Sequence, residues 1–238
     1  MKKIQWIVFS LFLAFHSAVF AIAVSVSPLI VDFLPGLLPR KDITVYNVSK
    51  TTPAYVSVDI SLVTNPGEKF QKRKKIYDPE KLGLLATPNK MVIPPGGSRI
   101  FRLVALGNHQ DKERVYVASV TPANQHVITH KINPGDKQSA KMGVGFNVGY
   151  GVRVTVRPTD MKPGLMMHRY GKQLVLENKG NTNVVVGGGK QCVGSAPCFE
   201  FKAHRIYPGN LIKIPLKYDA PVTVRTLFIK DKKTIVVD

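Results

Sequence analysis

MGVGFNVGYGVRVTV, residues Met142–Val156, alternates without a break. Its even positions are Met142, Val144, Phe146, Val148, Tyr150, Val152, Val154 and Val156, while its odd positions carry only Gly, Asn, Arg153 and Thr155, with Arg157 one step beyond. Successive side chains of a strand point to opposite faces, so one face is apolar throughout and the other small or polar. A strand averages about five or six residues, yet fifteen alternate here. The segment is either the spine of a sandwich or a strand that runs past its own sheet. Four glycines on the second face weaken an ordinary interior strand and mark the close approach of another backbone. An apolar row on an unpaired strand is a liability unless a partner strand is meant to take it.

On either side of this stretch, short β-prone runs recur between turn residues. Val24–Val31, Ile43–Val48, Ala54–Val63, Arg99–Ala105 and Arg114–Thr121 come before it, and Leu174–Glu177, Asn183–Val186, Phe199–Ile206, Leu211–Leu216 and Val222–Ile229 after it. Strands at this spacing, with 19 Gly and 17 Pro among 238 residues and no convincing helical period, predict an all-β chain built as sandwiches. Pro158–Gly164 separates the two series as a linker. The expected division is 1–23 as a targeting segment, 24–158 as a first β domain and 159–238 as a second.

The targeting segment follows from Lys2 and Lys3, the uncharged apolar run Trp6–Phe15, and the small residues Ala18, Ala21 and Ala23, the order of a secretory signal peptide. Cleavage after Ala23 or Ala21 satisfies the small-residue rule. No second run of about twenty apolar residues follows, so no stable membrane insertion is expected. Export explains the cysteines: Cys192 and Cys198 bracket a small loop that a disulfide closes in an oxidising compartment, whereas catalytic thiol pairs usually stand as C-x-x-C. Trp6, the one Trp, departs with the signal, so the core Trp of antibody-type domains is missing.

The formal charge of +19 falls only to +17 without Lys2 and Lys3. Lys69, Lys72, Arg73, Lys74 and Lys75 cluster in one loop, but an exported chain has little business with nucleic acid, and the bland reading is a solvated basic surface. No motif for catalysis or a cofactor emerges. There is no G-x-S-x-G; Gly187–Lys190 lacks P-loop spacing and reads as a turn; no metal site is expected, although His126 and His130 are four apart. The protein is therefore expected not to be an enzyme.

Three stretches resemble the periplasmic chaperones of fimbrial (pilus) subunits of the chaperone–usher system. They are Ala86-Thr87-Pro88 with Met91–Gly96 and Ile100–Leu103; Asp111–Tyr116; and the alternating strand ending in Arg157-Pro158. In the second half, Leu176-Glu177-Asn178 with Asn181, and Ile206–Gly209, are a looser echo, and the disulfide loop ahead of Tyr207-Pro208-Gly209 is similar to the family's alternate, divergent branch.

The resemblance implies two immunoglobulin-like β-sandwich domains in a boomerang arrangement, in the periplasm, with pilus subunits and an outer-membrane usher as partners. It also implies donor-strand complementation, a form of β-strand addition of which chaperone–pilin pairing is itself an established instance. By position, Val144, Phe146 and Val148, with Met142 as a fourth, would be the donor side chains. Each is worth about 1.5–3 kcal/mol when buried, roughly 5–12 kcal/mol in all. Arg153 matches the family's basic anchor for the subunit's C-terminal carboxylate. Its usual companion, an Arg in the first strand, aligns with Ile30, leaving Arg40 or Arg102 as substitutes. Glu113, Arg157 and Asp219 match an interdomain ion network. The rival expectation is a secreted basic β-sandwich that is itself a pilus component or binds a polyanion.

Overall fold

The computed structural model describes residues 24–107, 111–123 and 148–238. The expected signal peptide and the positions Met142, Val144, Phe146, His126 and His130 lie outside them.

The chain enters as β1 (Val24–Ser27) and β2 (Ile30–Phe33). The sequence predicts one strand here, but Pro28 supplies no ladder donor, and the two halves join different sheets. β1 pairs antiparallel with β3 (Arg40–Asn47), while β2 runs parallel to β10 (Tyr150–Val156). The first sheet has the order β1-β3-β8-β6, with β8 at Ser98–Ala105 and β6 at Leu84–Thr87. The second has β2-β10-β9-β4-β5, with β9 at Arg114–Pro122, β4 at Ala54–Thr64, β5 at Lys72–Lys74, and β7 (Lys90–Ile93) also on β4. A single helical turn, α1 (Pro79–Leu82), starts at Asp78, whose side chain caps the amides of Glu80 and Lys81. Between the sheets, Ile43, Val45, Phe101 and Leu103 meet Val58, Ala118, Val120, Val152 and Val154 in one buried cluster.

A second pair of sheets follows residue 164. β11 (Leu165–Tyr170), β12 (Gln173–Asn178) and β16 (Leu211–Pro215) form one sheet. β14 (Phe199–Phe201), β13 (Val184–Gln191), β17 (Val222–Phe228) and β18 (Asp231–Val237) form the other, with β15 (His204–Ile206) also on β13. Leu174, Leu176 and Ile214 face Val186, Ile206, Val222 and Val224 across a smaller core. Gly187–Lys190 is not a free turn, as the sequence suggests, but part of β13, where the pairing with β17 shifts register between Val186 and Gly189 as at a bulge. Cys192 and Cys198 are joined by a disulfide closing the loop between β13 and β14.

Asn178 is fully buried and shapes the β12–β13 connection from within. Its Nδ2 donates to the carbonyls of Thr182 and Ile206, and its Oδ1 accepts from Gly180 N. A buried amide so satisfied costs little and holds its backbone in one path. That path carries the residues that meet the first sandwich.

The basic cluster has a plain structural setting. Lys72–Lys74 form β5, an exposed strand at the edge of its sheet, with Lys69 stacked over the Phe70 ring at 5.8 Å. Lysines on an edge oppose unwanted strand pairing.

Candidate functional site

The site grows out of β10. Val152, Val154 and Val156 point into the first core, Tyr150 is only partly buried against it, and Val148 is 58% exposed. One apolar row thus passes from core to solvent along a single strand. The edges of β10 change at the same place. On one side β9 pairs with it from Tyr150 to Val156; on the other β2 pairs only from Arg153 onward, where Arg153 N donates to Leu29 O at 2.9 Å. Among the described residues no strand pairs with that edge before Arg153. The backbone groups there are open, next to the emerging apolar row.

Arg153 stands at the junction. Register places it beside Ile30 on β2, and Thr155 beside Asp32. The four side chains share one face with Arg157, turned toward the second sandwich. Ile30 is 56% exposed, so the position aligned with the first-strand Arg is an apolar neighbour of Arg153. Neither suggested substitute is nearby: Arg40 and Arg102 belong to β3 and β8 of the other sheet, and Arg102 makes a two-pronged bond with Asp42 at 2.6 and 2.8 Å. The Nε of Arg153 is buried without a hydrogen-bond partner, as is Thr155 Oγ1.

Deeper in the cleft, Arg157 is 7% exposed. Its Nη2 donates to Asp32 Oδ2 at 3.1 Å, its Nη1 donates to Thr182 Oγ1 at 2.6 Å and to Asn183 O, and Glu113 Oε2 stands 3.9 Å away. The Phe228 ring of β17 lies 5.9 Å from the guanidinium. Glu113 Oε2 accepts from Thr182 Oγ1, Asn183 N and Asn183 Nδ2 at 3.0, 2.8 and 2.6 Å. Glu113 and Arg157 therefore meet across the two sandwiches. Asp219 does not join them, which corrects the expectation: it lies in the β16–β17 connection, pairs with Arg169 of β11, and is largely exposed. The face of the second sandwich turned to the cleft is the β12–β13 connection with β15, so the acid beside Arg157 is Asp32, from the first sandwich. Its position two residues after Ile30, on the same strand face, was the available signal.

Two further contacts close the seam. Asn181 donates from Nδ2 to the carbonyls of Asp111 and Asp160, accepts Lys162 N on Oδ1, and exchanges backbone bonds with Lys162 and Glu113. Tyr207 packs with Val63, Val115 and Val117, and Asn210 Nδ2 donates to Pro66 O. Gly67 makes this approach possible: its φ is +81°, and a Cβ there would lie 2.7 Å from the Tyr207 ring.

Burial pushes the Glu113 carboxyl above its ordinary value, against the bonds from Asn183 and Thr182 and the charge of Arg157. A raised carboxyl holds its proton longer in the folded state, so its contribution is full below the unfolded value of about 4.3 and is lost as pH rises through the folded one. Glu113→Gln fixes the uncharged form. Urea unfolding at several pH values is expected to show the native protein losing stability relative to the variant as pH rises through that window; a pH-independent difference contradicts this.

No protein-family profile matches the chain. It is 30% identical over 176 residues to the CS1 fimbrial protein designated B of Escherichia coli, covering 71% of each chain. Among solved structures, the class 5 fimbriae chaperone CfaA superposes with a TM-score of 0.65 at 20% identity, over 91% of this chain and 99% of CfaA. A chain of the Salmonella enterica SafA pilin–SafB chaperone complex gives 0.59 at 13% identity, over 92% of this chain and 99% of that one. Two packed β-sandwiches with a half-open strand at their junction define a class, the two-domain β-sandwich chaperones. The chain belongs to the family of fimbrial assembly chaperones of the chaperone–usher system.

Proposed function

We propose that this protein is a periplasmic chaperone that captures fimbrial subunits by donor-strand complementation and delivers them to an outer-membrane usher. The observation that carries the reading is the strand β10, whose apolar row leaves the core at Tyr150 and Val148 where its β2-side edge falls open. An incoming strand would pair with that edge until it meets β2 at Arg153. With its chain end against Arg153, it would run parallel to β10, in line with β2, and its terminal carboxylate would meet the guanidinium. Met142, Val144 and Phe146, together with Val148, would fill the subunit's groove. Residues 24–158 and 159–238 are proposed as the two domains, joined by the Glu113–Arg157 contact. The work is binding, with no catalytic step.

Co-expression with a fimbrial subunit from the same organism tests this. The expected product is a one-to-one complex, which Phe146→Asp blocks and Arg153→Ala weakens by about 10- to 100-fold, as expected for loss of a charge-assisted bond of roughly 1.5–3 kcal/mol. No complex with any such subunit, together with steeply salt-dependent heparin binding, would replace the reading with polyanion binding.

A further inference from the structure

The cleft holds one more cation than its acids can pair. Arg153, Arg157 and Arg205 enter it, with Asp32 and Glu113 opposing them. Both acids are engaged around Arg157. Arg205 comes from β15, paired with Val185 of β13, and its Nη1 donates to Asn183 Oδ1, the same amide that donates to Glu113. Two residues on, Tyr207 packs against Val117, whose cross-strand partner on β10 is Arg153. The β15 segment therefore lies over the part of the first sandwich that carries Arg153. Burial, and next the Arg153 charge, hold the Arg205 guanidinium below its ordinary value. Among the described residues neither Arg153 nor Arg205 has a carboxylate within ion-pair distance.

We infer that Arg205, supplied by the second sandwich, is the companion of Arg153 in a carboxylate-binding site that spans both sandwiches, in the role left vacant by the apolar Ile30. Like charges crowded into a partly buried cleft are relieved by an anion between them, and guanidinium donors suit a carboxylate's two oxygens. The unpaired Arg153 Nε and Thr155 Oγ1 are further donors on the same face. The site would be complete only when both sandwiches are docked. The inference rests on the chaperone reading, and the carboxylate is the subunit's chain terminus.

The test uses the full protein and a synthetic peptide copying the C-terminal strand of the co-expressed subunit, made as free acid and as amide. Titration calorimetry is expected to give the wild-type protein at least a tenfold preference for the acid. Arg205→Ala should lower that preference by about tenfold and leave amide binding unchanged, and Arg205→Lys should restore part of it. An unchanged preference in Arg205→Ala, with loss in Arg153→Ala, would overturn the inference and leave the chaperone reading standing. Equal weakening of acid and amide would mark a merely structural role and overturn it too. No acid preference in the wild-type protein would overturn the anchor as a whole.

Discussion

Arg157→Ala is expected to destabilise the protein by about 3–5 kcal/mol, the usual consequence of removing one partner from a buried ion pair. The guanidinium is 3% exposed and binds Asp32, Thr182 and the Asn183 carbonyl while standing 3.9 Å from Glu113. Alanine would strand both acids in a cleft from which water is largely excluded, and the contact with Phe228 would go as well. Replacing the whole set by apolar residues would cost far less, because the penalty lies in the orphaned charges rather than in the strength of the pair. Thermal unfolding should shift down by on the order of 10 °C. Arg157→Lys, which keeps the charge but loses the fork, should recover only part of it. A loss below about 1 kcal/mol in urea unfolding would mean that the acids find water in the folded variant.

Gly180→Ala should cost about 3 kcal/mol, at the upper end of what overpacking produces. A Cβ on Gly180 would lie 2.1 Å from the Lys162 carbonyl oxygen and 2.5 Å from Gly164 N. These are backbone atoms, so no rotamer change relieves the clash. The segment is also held where it is: Gly180 N donates to Asn178 Oδ1, and Lys179 and Asn181 bond to Gly164 and Lys162. The linker would have to lift away from the β12–β13 connection and take the Asn181 contacts with it. Equilibrium unfolding measures the cost; near-native stability would show that the linker yields cheaply.

Strands were legible wherever β-branched residues alternate. β4, β9, β10, β12, β16 and β17 fall close to their expected positions because each has one apolar face and a core to turn it to. β11 was missed because Leu165–Tyr170 is rich in Met and cations rather than β-branched residues, and β18 because it opens with Asp231, Lys232 and Lys233. Phe199–Ile206, expected as one strand, splits at Lys202 and Ala203 into β14 and β15. At the site, Arg153, Glu113 and Arg157 were accessible through strand phase and resemblance. Asp219 was misplaced because nothing local distinguishes a surface acid from a cleft acid. Arg205 was invisible: its proximity to Arg153 is created by docking one sandwich on the other, and no local pattern encodes that.

The bonds around Asn181 reach almost entirely to main-chain atoms of Asp111, Glu113, Asp160 and Lys162. Main-chain groups are the same whatever side chain they carry. The hinge can therefore drift freely at Asp111, Asp160 and Lys162 across generations while keeping its shape, so long as one amide, at position 181, is inherited. Divergent relatives can then preserve a common angle between their halves with little shared spelling in the connecting segment.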